Sequence, residues 1–263
     1  PVSSTATPEM ASVEHESAVS GDEARAAGFR PEGRKRRQLP FGLSVVVNVV
    51  VALTVVAIVQ ALWVKVYSVP SGSMEATLNV GDRMLVNRTA YPDGKAAAQD
   101  VIVFEADEAW AMPTASGGPV DAALRAFGDV TGIGRSNSQA LVKRVIGTEG
   151  QTVECCSADG AVLVDGTPID EPYVHNDLPF AKDELDCDTP QRSARCFGPV
   201  EVPEDSMLVL GDHRSNSADS VVECRGRPEG QADDCARFVR AEDVVGEVFF
   251  VMWPPSNWSS PAS

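Results

Sequence analysis

Ser73 has the local sequence of an activated nucleophile. It lies in VPSGSMEATL, residues 69–78, where Pro70 and Gly72 favour a tight turn that exposes the serine hydroxyl together with its backbone N–H. A serine hydroxyl is a poor nucleophile until a base takes its proton. On these residues alone a Ser/Gly-rich linker is the simpler interpretation, so a catalytic serine needs a base elsewhere in the chain.

Lys143 is the candidate base. It lies in the apolar run LVKRVIG, residues 141–147, and strand alternation places it on the same face as Leu141 and Val145. Burial disfavours the ammonium form, so a buried lysine has a lowered pKa and can accept a proton. The alternative is a strand lysine that faces solvent, which is the commoner arrangement.

The third polar segment is GDHRSNSADS, residues 211–220. Short polar side chains of this kind bond to the backbone and to each other in loops, and a solvated turn is the alternative. His213 offers the histidine of a Ser–His–Asp triad, but nothing in the sequence pairs any of the three histidines with Ser73. A serine–lysine pair is therefore favoured over a triad.

Metal sites have little support in the sequence. A calcium loop through Asp212, Asn216 and Asp219 lacks the regular ligand spacing and the terminal glutamate. No C-x-x-C pair occurs among the cysteines, which leaves a zinc site without its usual spacing. We predict no metal and no cofactor.

The elements that must position these residues are predicted to be short strands. Runs rich in β-branched residues and bounded by Gly and Asp occur at 85–88, 101–104, 141–147, 161–166, 207–212 and 247–253. Asp165 and Gly166 suit a hairpin turn. The fold class is therefore mostly β, with an antiparallel, β-rich catalytic domain at 66–263. Irregular segments interrupt it: insertions at 106–139 and 175–198, a helix candidate at 120–127, and an acidic stretch at 221–238.

Residues 39–65 are predicted to be a transmembrane anchor. The stretch from Phe41 to Val64 carries no charge and is long enough to cross a bilayer as a helix. Trp63 and Tyr67, near its end, suit the membrane interface. The alternatives are a cleavable signal peptide, whose apolar region is usually shorter, and a buried core helix, which rarely lacks charge for so long.

Basic residues flank the anchor unequally. Five of them precede it, in RPEGRKRR at 30–37, and only Lys65 follows closely. Positive residues stay in the cytoplasm, which predicts a single-pass plasma-membrane protein with the N-terminus inside and residues 66–263 outside. Residues 1–38 show no hydrophobic period and are predicted to be a disordered cytoplasmic tail.

Six cysteines lie on the predicted outer side, where disulfides persist. Six cysteines allow fifteen pairings, and the sequence does not choose among them. Spacing favours Cys187–Cys196 and Cys224–Cys235, because short steps in irregular loops can close small rings without disturbing strands. The adjacent pair Cys155–Cys156 is expected to be a poor match, because a bond between neighbours strains the backbone.

The charge balance excludes one class of partner. The chain has 38 acidic and 22 basic residues, and its formal net charge is −16. Because nucleic acid binding needs a Lys/Arg-rich surface, no nucleic acid partner is predicted.

Taken together and in order, these segments resemble the type I signal peptidases, a serine–lysine protease family. The matching segments are PSGSM, GDRMLVN at 81–87, DVIVF at 100–104, KRVIG and GDHRSNSADS. The resemblance covers roughly residues 60–255, including the closing FFVMWPP. The long segment before LVKRVIG and the cysteine-bearing late loop are most similar to high-GC Gram-positive members.

The resemblance implies a role for each matching residue. Ser73 matches the nucleophile and Lys143 the general base. Ser71 matches the serine whose hydroxyl forms the oxyanion hole with the Ser73 N–H, and Ser217 the hydroxyl that orients the lysine. Charged residues that brace the site are Arg144, Asp212 and Asp219. Residues that would line shallow apolar pockets for small substrate side chains are Tyr67, Val69, Pro70, Met74, Leu78 and Val142.

Three positions depart from the family pattern. Ala76 stands where the family usually has proline, which is expected to loosen the turn modestly, and His213 replaces a common asparagine. Val221 occupies the place of an arginine that normally pairs with Asp219. Another cation is expected to supply that charge, from either Arg225 or Arg227, unless the brace itself differs.

The resemblance also implies the activity and the partners. The expected reaction cuts one peptide bond of an exported preprotein, after a small-x-small site that ends its signal peptide. The implied partners are signal-peptide-bearing preproteins, the lipid bilayer and the export machinery. Two other classes stay open: another serine–lysine protease, such as a pilus-processing, conjugation-factor-processing or repressor-type enzyme, and a non-catalytic cell-surface binding module. The anchor argues against the repressor type, and the retained Ser73 and Lys143 argue against the binding module.

Overall fold

A computed structural model describes the larger part of the chain: residues 40–110, 118, 120, 140–228 and 235–261. The tail predicted at 1–38, nearly all of the helix candidate at 120–127 and most of the insertion at 106–139 lie outside the described residues.

The apolar segment forms helix α1, Phe41–Leu62. Its 22 residues span about 33 Å, which matches a bilayer core of about 30 Å. Within the described part of the chain it is the one helix long and apolar enough to cross a membrane, and most of its large apolar side chains are exposed. It ends at Leu62, three residues before the predicted end of the anchor at 65, because Val64 begins the first strand.

Eleven strands occur in the described ranges. They are β1 Val64–Ser68, β2 Arg83–Asn87, β3 Val101–Glu105, β4 Ala140–Thr148, β5 Thr152–Cys155, β6 Val162–Val164, β7 Thr167–Pro168, β8 Phe197–Glu201, β9 Ser206–Leu210, β10 Val239–Arg240 and β11 Val244–Trp253. Seven form a sheet in the order β1-β2-β11-β3-β4-β9-β10, and four form a second sheet in the order β7-β6-β5-β8. All neighbours pair antiparallel. The prediction of a mostly β, antiparallel fold is confirmed.

Each run of β-branched residues that predicted a strand overlaps an observed strand. The hairpin turn is confirmed as well, since Val164 pairs with Thr167 across Asp165 and Gly166. Both turn residues have positive φ, +51° and +73°, as a two-residue hairpin of the primed type requires.

The larger sheet carries an apolar cluster on each face, and β3 shows why. Val101 and Val103 pack into one cluster, whereas Ile102 and Phe104 pack into the other. A strand buried on both faces is uniformly apolar rather than alternating. Because Ile102 pairs with Lys143 in β4, this arrangement brings the lysine into an apolar layer.

Three disulfides occur in the described part of the chain. The predicted pairs Cys187–Cys196 and Cys224–Cys235 are confirmed. The expectation for Cys155–Cys156 was wrong, because the two residues are bonded to each other. The peptide between them is cis, and their Cα atoms lie 2.9 Å apart.

Candidate active site

Ser73 and Lys143 meet in a buried hydrogen bond. Lys143 Nζ donates to Ser73 Oγ at 2.6 Å, across 70 residues of sequence. The two residues are only 8% and 3% exposed. At this distance a proton can pass directly between the two atoms, without a bridging water.

A 3-10 turn at Gly72–Met74 presents the serine. Val69, before the turn, and Met74 and Leu78, at and after it, are buried in one apolar cluster with side chains of β1, β2 and β11. The Leu78 N–H also donates to the Met74 carbonyl at 2.7 Å. The turn is thus fixed from both sides by the core of the larger sheet.

Ala76 follows this turn in a conformation closed to proline. Its φ is +78°, whereas a proline ring holds φ near about −65°. The backbone here therefore takes a path that proline cannot follow, and the expectation that alanine loosens the turn modestly stays a prediction.

The strand register explains the state of Lys143. It lies in β4 on the face of Leu141 and Val145, opposite Ile102 of β3, in the apolar layer described above. Burial is the largest effect and lowers the pKa of Lys143 from 10.5 to about 8. The negative charges of Asp219 and Asp212 oppose this decrease, and the positive charge of Arg237 supports it.

A cleft of about 370 Å³ opens beside the pair. One wall is the turn that carries Ser73, the second is the first half of β4, and the third is formed by residues 215–218. In the described part of the chain, β9 pairs with β4 only from Arg144 onward. Residues 140–143 therefore offer a free strand edge to the cleft.

The predicted pocket residues divide into two groups. Val69, Pro70, Met74 and Val142 line the cleft. Tyr67 and Leu78 do not, because both side chains lie in the core cluster beneath the turn, at 7% and 0% exposure.

The two predicted accessory serines both line the cleft beside the pair. Ser71 Oγ lies 3.5 Å from Ser73 Oγ, on the same turn. Ser217 is buried, and its Oγ has no hydrogen-bond partner among the described residues. Gly211 makes room for it, since a Cβ at that position would lie 2.3 Å from Ser217 Oγ and 2.5 Å from the Ser73 carbonyl oxygen.

Arg144 and Asp212 form a buried ion pair next to Lys143. Arg144 Nε and Nη2 donate to the two carboxylate oxygens of Asp212 at 2.9 and 2.8 Å. Thr77 Oγ1 donates to the same carboxylate at 2.6 Å, and the Tyr173 ring lies 3.8 Å from the guanidinium. This pair ties β4 to the loop after β9 and to the turn that carries Ser73.

The chain is similar to known proteins over most of its length. The family model described as "Signal peptidase, peptidase S26" matches residues 43–253. The chain belongs to this family. The signal peptidase I of Mycobacterium tuberculosis is 34% identical over 248 residues, which cover 90% of this chain and 80% of that protein. The probable signal peptidase I of Mycobacterium leprae is 32% identical over 263 residues, covering 93% and 86%.

A crystal structure of a signal peptidase I from Enterococcus faecalis aligns with 59% of this chain and 97% of its own length, at 24% identity and a TM-score of 0.29. The predicted resemblance, including that to high-GC members, is confirmed by the family match and the mycobacterial relatives. The chain is a serine peptidase of the signal peptidase type.

A later arginine pairs with Asp219 in place of the arginine that the family has at the position of Val221. Val221 is fully buried and apolar, while Arg225 Nη2 lies 3.1 Å from Asp219 Oδ2. Arg227, the other candidate, instead lies 4.0 Å from Glu223 at the surface. Of the two candidates, Arg225 is therefore the one that pairs with the Asp219 carboxylate.

His213 is not part of a triad. Its Nδ1 lies 3.1 Å from Glu75 Oε2, and its backbone N–H donates to the Ser73 carbonyl. Within the described ranges, the side-chain neighbours of Ser73 Oγ are those of Lys143 and Ser71.

Sequence reasoning missed three residues of the site. Thr77 lies inside the VPSGSMEATL segment, and its position four residues after Ser73 was an available signal. Tyr173 and Arg237 lie in irregular segments, and no spacing in the sequence connects them to the site.

Metal ligands are not gathered at this site in the described part of the chain. The group with suitable spacing there is formed by Cys156, Cys187 and Cys196, whose sulfur atoms lie within 4.8 Å of one another. All three are in disulfides and so offer no thiolate.

Proposed function

We propose that the peptidase cuts exported preproteins after their signal peptides, with Ser73 as nucleophile and Lys143 as general base. The observation that carries this proposal is the buried 2.6 Å contact between Lys143 Nζ and Ser73 Oγ. A lysine with a pKa of about 8 is neutral in a useful fraction of molecules near neutral pH.

The reaction begins when neutral Lys143 takes the Ser73 proton and Ser73 Oγ attacks the scissile carbonyl carbon. The tetrahedral intermediate collapses as Lys143 gives its proton to the leaving amine, which breaks the peptide bond. Lys143 then takes a proton from water, and the hydroxide attacks the acyl-enzyme ester. Return of that proton to Ser73 Oγ frees the signal peptide and restores the enzyme.

The negative charge that develops on the carbonyl oxygen needs donors placed in advance. The Ser73 N–H and the Ser71 hydroxyl lie on one turn and can both point at that oxygen. Preorganised donors of this kind usually contribute about 3 to 4 kcal/mol each to transition-state stabilisation.

The substrate is proposed to bind as an added strand along the free edge of β4 at residues 140–143. Main-chain hydrogen bonds then supply affinity, and alternate side chains enter the cleft. Val69, Pro70, Met74 and Val142 give that cleft apolar walls. A cleft of this kind favours small apolar residues, which accounts for a small-x-small preference before the cut.

The membrane arrangement is part of the same proposal. Helix α1 would anchor the peptidase beside the export machinery, with residues 1–38 in the cytoplasm and 66–263 outside. Protease added to intact protoplasts is expected to digest the domain after residue 66 and to spare an epitope placed in the tail. Digestion of the tail with the later domain intact would reverse the assigned orientation.

Activity is tested with detergent-solubilised full-length protein and a purified preprotein. The new N-terminus is sequenced, and it is expected to follow a small-x-small site. Ser73→Ala and Lys143→Arg are expected to be inactive, because a guanidinium cannot be deprotonated here. Lys95→Arg is the matched control, since Lys95 is an exposed lysine paired with Glu149 and Asp205. Cleavage that persists in Ser73→Ala, or full activity in Lys143→Arg, would refute the assigned roles.

A further inference from the structure

Asp219 is a fully buried carboxylate whose charge reaches the base. It is 0% exposed and directly follows Ser217 and Ala218, which line the same cleft as Lys143, and its negative charge acts on that lysine. A carboxylate in this position requires a cation, because an unpaired buried charge is strongly unfavourable. The cation also matters for the base, since an uncompensated negative charge stabilises the ammonium form of a nearby lysine.

Two arginines converge on Asp219 from the segment after it. Arg225 Nη2 lies 3.1 Å from Asp219 Oδ2, and Arg237 Nε donates to the Asp219 backbone carbonyl at 3.1 Å. Arg237 is itself held in place, because its guanidinium lies 4.2 Å from the Trp110 ring and its Nη1 donates to the Ala109 carbonyl.

A disulfide links the backbone next to Arg225 with the backbone next to Arg237. Arg225 directly follows Cys224, and Arg237 comes two residues after Cys235. Cys224 and Cys235 are bonded to each other and are 1% and 7% exposed. The bridge thus brings together, next to one carboxylate, two cations that are twelve residues apart in the sequence.

We propose that Arg225 and Arg237, clamped by the Cys224–Cys235 bridge, are positioning residues that neutralise Asp219 beside the Lys143 amine. This inference rests on the proposed role of Lys143 as base and adds the segment that controls its charge. Neither arginine lines the cleft, so Arg225 acts on the lysine through Asp219, and Arg237 acts through Asp219 and through its own charge.

The charges that face Lys143 determine the sign of the expected effect. Asp219 and Asp212 favour the ammonium, Arg237 disfavours it, and Arg144 already neutralises Asp212. Arg237 in turn feels the carboxylates of Glu223 and Asp107. Removing Arg225 or Arg237 leaves excess negative charge near the lysine. The pKa of Lys143 then increases, and the acidic limb of kcat/KM moves to higher pH.

The test compares pH profiles of kcat/KM for the full-length protein and its variants. Arg225→Met and Arg237→Met are each expected to move the acidic limb upward by about one pH unit. Arg227→Met is the matched control, because this arginine lies on the same segment but pairs with Glu223 at the surface. Its limb is expected to stay at the wild-type position. The double variant Cys224→Ser/Cys235→Ser is expected to move the limb in the same direction as the arginine variants.

A second measurement separates this inference from the proposed function. The titration midpoint of Lys143 is followed by NMR of 13C-labelled lysine, assigned by loss of its signal in Lys143→Met. A wild-type protein that does not cut preproteins would refute the proposed function, while the midpoints would still test the inference. The inference would be overturned if Arg225→Met and Arg237→Met have the same Lys143 titration midpoint and the same acidic limb of kcat/KM as Arg227→Met.

If Arg225→Met fails to fold, the double variant Arg225→Met/Asp219→Asn tests the same inference, because it removes both charges of the pair. The acidic limb and the Lys143 midpoint of this double variant are expected at or below the wild-type pH, because the carboxylate that favours the ammonium is gone. Values above the wild-type pH would contradict the inference.

Discussion

Replacing Lys143 with methionine is expected to stabilise the folded peptidase at neutral pH. Desolvation is the largest cause that lowers the lysine pKa from 10.5 to about 8, and the side chain is almost completely buried. In the unfolded chain the same lysine keeps its proton up to about pH 10.4. Folding therefore has to release a proton or bury an ammonium, and both oppose folding below the unfolded pKa.

The size of this effect follows from the two pKa values. A decrease from 10.5 to about 8 corresponds to about 3 kcal/mol of lost stability at pH 7. The loss is complete below the folded pKa and fades as the pH rises toward the unfolded value, so less than about 1 kcal/mol is left at pH 10. Methionine is of similar length and carries no charge, so Lys143→Met removes the penalty while still filling the space.

The measurement is urea unfolding of the detergent-solubilised full-length protein at pH 7 and pH 10, followed by tryptophan fluorescence. Lys143→Met is expected to exceed the wild-type free energy of unfolding by about 3 kcal/mol at pH 7 and to approach it at pH 10. Lys95→Met is the control, because this lysine is exposed and its ion pairs raise its pKa, so no stabilisation is expected. A Lys143→Met protein that is less stable than wild type by the same amount at both pH values would refute the reasoning.

Three further predictions concern the surroundings of the pair. Ser217→Ala is expected to lower kcat by about ten- to a thousandfold with KM nearly unchanged, since a hydroxyl that orients the base acts on the chemical step; an effect on KM alone would place Ser217 in substrate binding. Gly211→Ala is expected to abolish measurable kcat in a folded protein, because its Cβ would lie 2.5 Å from the Ser73 carbonyl oxygen; circular dichroism checks the fold, and near-normal turnover would contradict the contact. Ala76→Gly is expected to raise the free energy of unfolding by about 1 kcal/mol, since alanine is strained at a φ of +78°; urea unfolding that shows a loss of stability would contradict this.

The strands were predictable because their signal is local. Runs such as VIVF at 101–104 are apolar and β-branched, and β3 is buried on both faces as such a run indicates. The Asp165–Gly166 turn follows from two residues that tolerate positive φ. Neither inference needs to know what the strand pairs with.

The site could not be derived in the same way. Lys143 and Ser73 meet only because β4 and the turn after β1 come together in the tertiary structure, and no local pattern contains that contact. The resemblance to a family supplied the pairing instead. Where that pattern fails, as at Val221, the sequence left two candidates, and only the fold distinguishes Arg225 from Arg227. The Cys155–Cys156 bond was not expected, because a bond between neighbours strains the backbone, yet the two residues are bonded.

The two buried ion pairs of the site are better understood as a means of preserving the base than as a source of stability. A buried pair gains little over apolar packing, because desolvation offsets most of the attraction between its charges. Asp212 and Asp219 nevertheless both lie close enough to favour the ammonium form of Lys143. Desolvation is the main cause of the lowered lysine pKa, and the two carboxylates oppose it less when cations compensate their charges. Arg144 compensates one from within β4, and Arg225 compensates the other from a disulfide-closed segment. Loss of either arginine would therefore reduce activity through the lysine, even in a protein whose fold is intact.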